Sequence, residues 1–390
     1  MTLILTKDDR FQIDTVGRKA FNLGLMKKNG LPSLEGIVLI PPIDEKEMQK
    51  AWDYFKEPKS LAVRSSMLNE DGLESSMAGK FETVLGVKTY KSFQSAIQKV
   101  LNSNNNSTNS SILIQNMFNS DISGVLFTRT EPKSSTLYIE ATYGLGETLV
   151  GGMVTPDQYW IEHDTMKAES IVSEKKIYGI FLEETPLQIG DWSVRSFGKT
   201  RKIAPMGKGK FLGSIPYTER KQPSLSEDQL QKLVEFALRI ETIFGSPQDI
   251  EWAINGNEIM ILQSRPITSF LVQNQPANIR SCDADDVFLT GITASTGVVE
   301  GVVRTHFKEG ELVNEPFIYV GLETKPELLY SLDNLIGIVT EYGGLLCHAS
   351  IVARELRIPC MVNVSGATEQ LMQGDKIILN ATEGYIERSE

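Results

Sequence analysis

The chain has 390 residues, long for one hydrophobic core and suited to two or three domains. Its composition, 41% apolar and 23% charged, is that of an ordinary globular protein, and no apolar run is long enough to span a membrane as a helix. A formal net charge of −11 argues against nucleic acid as the main partner. Cys282, Cys347 and Cys360 are widely spaced and form no CxxC pair, which argues against a disulfide framework and for a reducing compartment. The first residues, "MTLILTKDDRF", have too few apolar positions before their charges for a secretory signal, so a cytoplasmic location is expected.

In "GRKAFNLGLMKKNG", Ala20, Leu23 and Leu25 stand near helical spacing, and Gly30 and Pro32 end the predicted helix. "LAVRSSMLNEDGLESSMAGKFETVLGV" reads as a strand, a polar glycine-containing loop and a second strand. "YKSFQSAIQKVL" is an amphipathic helix closed by "NSNNNSTNSS", residues 102–111, a low-complexity loop. "ILIQNMF" and "SGVLFTR" read as a strand pair around Ser120–Asp121, and "TLYIEATYGLGETLVGG" as a strand followed by a glycine-bearing turn. In "SEDQLQKLVEFALRIETIFG", Ser226 is the expected N-cap of a long helix with Leu230, Leu233, Val234, Ala237 and Leu238 on one face. "QDIEWAINGNEIMILQSRPI" is a hairpin turning at Asn255 with Gly256 or Asn257. Residues 268–286 are polar, contain a proline and lack periodicity, as a linker would. From 287 onward, short strands surround a helix that begins at His348, a strand-dominated domain of about 100 residues.

Three places along this chain could carry chemistry. The loop "GLESSMAGKF" is not a P-loop: six residues separate Gly72 from Gly79, and Phe81 stands where a metal-binding hydroxyl belongs. "YGLGETLVGG" likewise has Leu149 in place of the third glycine of a dinucleotide fingerprint. Arg64, the glycines and the hydroxyls of Ser65, Ser66, Ser75, Ser76 and Thr83 nonetheless offer anion contacts; the residues alone leave that reading and a solvated hairpin loop both open. On the hairpin, Asp249 and Glu251 share one face of the first strand, and Gln263 and Arg265 one face of the second. Folding at the turn brings Glu251 near Gln263, a pair of oxygen donors suited to Mg²⁺, with an exposed face of cross-strand charge pairs as the alternative. His348 follows Gly343 and Gly344 and precedes the small Ala349 and Ser350, where a helix N-terminus would stabilise a phosphorylated imidazole. By itself it reads equally as a helix-start residue, and His163 and His306 lack such surroundings.

"EYGGLLCHASIVARELRIPCMVNV" closely resembles the phosphohistidine swivelling-domain signature of phosphoenolpyruvate synthase, pyruvate phosphate dikinase and rifampin phosphotransferase, and "GITASTGVVEGVVR" resembles the opening of that domain. "GRKAFNLGLM", "AVRSSMLNEDGLESSMAGKFETVLGV", "ILIQNMFNSDISGVLFT", "IEATYGLGETLVGGMVTPDQYW" and "DIEWAINGNEIMILQSRPI" resemble, in order, the ATP-grasp nucleotide-binding domain of these enzymes. The resemblance implies an α/β and α+β multidomain chain. An ATP-grasp domain would span residues 1–267, with subdomains at about 1–110 and 111–267. A hinge would follow at 268–286, and a β/β/α phosphohistidine domain at 287–390. By position, Lys19, Arg64 and Arg265 would contact ATP phosphates, Gly79 and Thr83 would form the phosphate-covering loop, and Gln115 would lie toward the adenine. Glu251 and Gln263 would bind Mg²⁺ with Asp249 beside them, and His348 would accept a phosphoryl or pyrophosphoryl group from ATP. The resemblance thus implies a dikinase-type phosphotransferase releasing AMP and phosphate.

Two features depart from the family. Leu346 stands where a threonine is common, and neither the barrel that handles pyruvate nor the antibiotic-binding segment of rifampin phosphotransferase is recognisable in these residues. A small-molecule acceptor is therefore expected, with no nucleic acid or membrane partner. The alternatives are a separate protein that supplies the acceptor domain, or a non-catalytic nucleotide-binding regulator.

Overall fold

The computed structural model describes residues 1–5, 11–56, 60–68, 83–103, 110–182, 193–196, 199–207, 210–271, 289–307, 313–324 and 333–389. Gly72, Ser75, Ser76, Gly79 and Phe81, and most of the expected hinge, lie outside the described residues.

The first part of the chain builds β1 (Thr2–Ile4), α1 (Ile13–Lys28), β2 (Gly36–Leu39), α2 (Glu45–Tyr54), β3 (Leu61–Met67), β4 (Thr83–Val87), α3 (Tyr90–Ser103) and β5 (Ser110–Asn116). The strands form a five-stranded sheet in the order β1-β2-β5-β3-β4. Phe93, Ile97 and Val100 of α3 and Met48 and Ala51 of α2 pack on Val63, Ile112 and Ile114 of that sheet. The α1 backbone leaves helical geometry at Gly17, where φ is 74°. A Cβ there would overlap the Ser66 carbonyl. Gly17→Ala is thus expected to cost about 2 kcal/mol or more and lower the melting temperature by several degrees in a thermal melt, because strained backbone and steric overlap add.

The next stretch supplies β6 (Ile122–Phe127), β7 (Thr136–Tyr143), α4 (Glu147–Val150), β8 (Asp157–Glu162), β9 (Lys167–Ile171), β10 (Tyr178–Leu182), β11 (Ser193–Ser196), β12 (Lys199–Gly207), β13 (Lys210–Ser214), α5 (Tyr217–Arg220), α6 (Glu227–Phe244), β14 (Gln248–Asn255) and β15 (Glu258–Pro266). A six-stranded sheet runs β15-β14-β6-β7-β8-β9, and β10-β13-β12-β11 form a smaller one. Helix α6 starts as expected: Ser226 accepts from the Gln229 N–H and the Gln229 side chain returns the bond, a complete capping box. Its Leu233, Val234, Ala237 and Ile240 meet α1 and Trp252 in the main core of this part.

One pairing differs from expectation. "ILIQNMF" and "SGVLFTR" are not partners: β5 lies between β2 and β3, whereas β6 lies between β14 and β7. The connection between them is held at each end by a different sheet, with Met117 N–H donating to the Ser60 carbonyl and Asp121 N–H to the Ile254 carbonyl. The first sheet consequently closes with β5 rather than ending near residue 110, and the crossing between sheets falls at residues 117–121.

The last part comprises β16 (Leu289–Thr290), β17 (Ile292–Ser295), β18 (Val298–Arg304), β19 (Phe317–Gly321), β20 (Leu335–Thr340), α7 (His348–Leu356), β21 (Cys360–Val362), α8 (Ala367–Gln370), β22 (Lys376–Asn380) and β23 (Tyr385–Arg388). Its sheet order is β16-β23-β22-β18-β19-β20-β21-β17. The strands β18, β19, β20 and β21 are mutually parallel, and α7 is the crossover from β20 to β21. His348 therefore sits where a parallel strand hands over to a helix, the usual end for a site in such sheets. No described helix is long and apolar enough to cross a membrane.

Candidate active site

The hairpin β14–β15 forms as expected, and its strands set Asp249 opposite Arg265 and Glu251 opposite Gln263. Apolar Ile250, Trp252 and Ile254 on β14 are buried, while Glu251 is half-buried. The register slips between Glu251 and Trp252, a bulge of the kind that re-aims side chains beside sites. The Arg265 Nε donates to Asp249 Oδ2 at 2.8 Å. Arg64, from the other sheet, donates through Nη2 to Gln263 Oε1 at 2.9 Å. Arg64 is half-buried rather than a surface residue, and Thr83 stands opposite it across β3 and β4.

Lys19 is buried in α1 at 6% exposure. Its neighbours on the helix are tied to both strands of interest: Ala20 N–H donates to Ser66 Oγ, and Asn22 Nδ2 to the Ser264 carbonyl. Ser66 also donates to the Val16 carbonyl, so its hydroxyl holds α1 and is not the anion donor that the sequence allowed.

A cavity of about 500 Å³ opens between the five-stranded and six-stranded sheets, lined by Arg64, Thr83, Gln115 and Glu251 together with residues 116–118 and apolar Leu145, Leu149 and Leu262. Gln115 is buried, its Nε2 donating to the Leu34 carbonyl at 3.3 Å. Size, concavity and a few convergent polar groups among apolar walls fit one small ligand.

His348 is the first residue of α7, after Cys347 at the N-cap. Burial pushes its imidazole below the ordinary value of 6.5, and the Arg265 charge pushes the same way against Glu355. The hairpin arginine and the histidine, 83 positions apart in sequence, are thus brought into one electrostatic neighbourhood. A depressed histidine favours its docked, neutral form above the unperturbed pKa, and that contribution is lost as pH falls through the docked value. Any transfer that needs the neutral imidazole should hold steady above pH 6.5 and decline only below it. A pH–rate profile of histidine phosphorylation checks this. His163 pairs with its neighbour Asp164, and His306 is exposed.

The sequence reading missed Glu140. Its carboxyl is fully buried on β7 and reaches across to the segment before α7. Oε1 accepts from the Leu345 N–H at 2.5 Å and from Tyr138 Oη at 2.8 Å; Oε2 accepts from the Leu346 N–H at 3.1 Å. Burial outweighs these bonds and the Arg354 charge, so the Glu140 carboxyl is pushed up to about 7. Arg354, buried in α7, donates through Nη1 to the Leu345 carbonyl at 2.8 Å and stays cationic. Ser350 is buried too, its hydroxyl donating to the Gly344 carbonyl at 2.7 Å instead of leaving the helix start open. A glutamate inside a strand buried on both faces was the available signal, because such a charge requires partners. Lys175 adds a second contact, donating to Asn363 Oδ1 at 2.6 Å and Ser365 Oγ at 2.8 Å.

A ligand-sized cleft between two sheets, edged by basic and oxygen-donor side chains, and a separate parallel-strand unit that presents a histidine toward that cleft's hairpin define a nucleotide-binding protein coupled to a histidine-bearing domain. Residues 39–284 match the AMP/ATP-binding domain of pyruvate phosphate dikinase, and residues 313–384 match the mobile domain of PEP-utilising enzymes. The chain belongs to this family of PEP-utilising enzymes, as the motifs implied. It is 32% identical over 348 residues to a probable phosphoenolpyruvate synthase of Archaeoglobus fulgidus, covering 84% of this chain and 43% of that protein. It is also 32% identical over 355 residues to the phosphoenolpyruvate synthase of Pyrococcus furiosus, covering 85% of this chain and 41% of that one. The chain thus spans less than half the length of these relatives.

Proposed function

We propose that this chain performs the donor half of a dikinase-type phosphotransfer. The β-phosphorus of ATP passes to His348 as AMP leaves, either within a pyrophosphoryl group whose γ-phosphate water then removes as inorganic phosphate, or as a phosphoryl group after water has removed that γ-phosphate. The phosphoryl group left on His348 then passes to a second acceptor. The observation that carries this reading is the pairing in one chain of a ligand-sized cleft lined by Arg64, Thr83, Gln115 and Glu251 with a histidine that opens α7 in the domain matching the mobile domain of PEP-utilising enzymes.

Lys19, Arg64 and Arg265 bind the phosphates, with Asp249 fixing the Arg265 fork through its 2.8 Å bond. Thr83, with Gly79 of the loop outside the described residues, covers them; Gln115 and the 117–118 crossing lie toward the base. Glu251 and Gln263 stand opposite one another and would together hold Mg²⁺, which takes few protein ligands and would supply charge neutralisation, once Gln263 Oε1 exchanges its bond from Arg64 for the ion. Catalysis is mainly positioning and electrostatics: the arginines meet charge already in place. After loading, the His348 domain swings away about the 268–286 linker to deliver its group. The acceptor is a small molecule, in keeping with relatives named for phosphoenolpyruvate synthesis.

The test is incubation with β-³²P ATP. Acid-labile, base-stable label on the protein and AMP as the nucleotide product are expected; ADP as the product, or label that persists in His348→Ala, refutes the scheme. Retention of γ-³²P as well identifies the transferred group as pyrophosphoryl.

A further inference from the structure

We infer that Glu140 is the docking latch of the histidine domain, a positioning residue that presents His348 to the cleft while touching neither nucleotide nor imidazole. This rests on the reading of His348 as the group that is loaded.

The geometry singles this residue out. Glu140 belongs to β7 of the nucleotide-binding part, yet two of its three hydrogen-bond donors, the Leu345 and Leu346 N–H groups, belong to the other part. Those two amides immediately precede the histidine's helix and form a nest for an acceptor group. Their register with the cleft is set from both sides: Tyr138 holds the carboxyl, and Arg354 holds the Leu345 carbonyl. Gly344 completes the fit, since a Cβ there would overlap the Glu140 carboxyl. The surroundings are apolar, with Val125, Phe127 and Tyr138 packed against Leu346, Cys347 and Ala349. Apolar packing slides easily, whereas a buried acceptor with two fixed donors permits one register. A carboxyl can accept at both oxygens in either protonation state. An amide in its place offers one oxygen and turns a donor toward the second N–H, which leaves a buried donor unsatisfied.

The test uses the full chain in wild-type, Glu140→Gln, Glu140→Ala, Gly344→Ala and Glu140→Ala/Gly344→Ala forms. Three quantities are read: the single-turnover rate of histidine labelling from β-³²P ATP, the affinity for a fluorescent ATP analogue, and the radius of gyration by solution scattering. Glu140→Gln and Glu140→Ala should slow labelling at least roughly tenfold and increase the radius of gyration, with nucleotide affinity within twofold of wild type. Gly344→Ala should act likewise with Glu140 intact, but add no further loss in the Glu140→Ala background, where its methyl enters vacated space. Wild-type labelling rates or unchanged scattering in Glu140→Gln overturn the latch. So does a parallel loss of nucleotide affinity, which would make Glu140 part of the nucleotide fold, or losses that multiply in the double variant. Should Glu140→Ala fail to fold, the isosteric Glu140→Gln and Gly344→Ala decide the matter. A wild-type chain that takes no label, or His348→Ala that does, defeats the phosphohistidine reading instead; scattering still decides the latch.

Discussion

His348→Ala is expected to take no label from β-³²P ATP, and its release of AMP to fall by roughly 10³-fold or more, because no other described group stands in for a lost nucleophile. The loss should be confined to chemistry. His348 is half-buried at a helix start, and His163 and His306 lie in unrelated surroundings. It does not line the cleft cavity, so a fluorescent ATP analogue should bind the variant as it binds wild type. Folding stability should move by no more than about 1 kcal/mol, as for changes away from the fully packed core. Unaltered nucleotide binding with abolished labelling separates this outcome from general damage, and filter-bound label after alkaline treatment reads it directly.

Arg265→Ala is expected to reduce labelling by about 10²- to 10³-fold, the range for removing one preorganised charged donor. It also destabilises the chain, because Asp249, 5% exposed, loses the 2.8 Å partner on which its burial depends. The stability cost should be about 2–4 kcal/mol, visible in denaturant unfolding. Arg265→Lys keeps a charge but not the planar fork and should recover only part of the activity. A further signature distinguishes this residue from a structural ion pair. The Arg265 charge helps hold the His348 imidazole below its ordinary value, so its removal should move the acid limb of the pH–rate profile upward. A profile identical to wild type would show that the arginine and histidine do not meet in the working enzyme.

The hairpin was legible in the sequence because two local rules agree there. Alternation assigns faces and the turn marks where the chain reverses, but the register set at the turn would place Glu251 opposite Leu262; the bulge between Glu251 and Trp252, which neither rule shows, brings it opposite Gln263. The N-cap at Ser226 and the start of α7 at His348 were legible from equally local signals. The placement of β5 and β6 was not, since two adjacent apolar runs carry no mark of belonging to different sheets. The ties that separate them join Met117 to Ser60 and Asp121 to Ile254, partners far apart in the chain. Glu140 was obscured in a similar way: its amide partners lie 205 and 206 positions downstream. Local pattern can show that a buried acid needs partners without showing where they are. The family resemblance supplied the cleft residues by position, but only the folded chain shows that Asp249 and Gln263 already hold Arg265 and Arg64.

In the proposed scheme the latch carboxyl also makes domain movement a proton-coupled event. Buried and docked, Glu140 titrates at about 7, whereas in water a glutamate sits near 4.5. Docking through Glu140 is therefore most favoured below 4.5, and that contribution is lost as pH rises through 7. The groups that face it do not share the window: burial raises Tyr138 and Cys347, keeping them neutral, and Arg354 stays cationic. His348 contributes with the opposite sign, favouring docking above 6.5 and losing that preference in acid. One residue takes up a proton as the domains close while the other gives one up. A swing of the histidine domain is thus expected to exchange hydrogen ions with solvent at both ends of its path, and calorimetry in buffers of different ionisation enthalpy would count them.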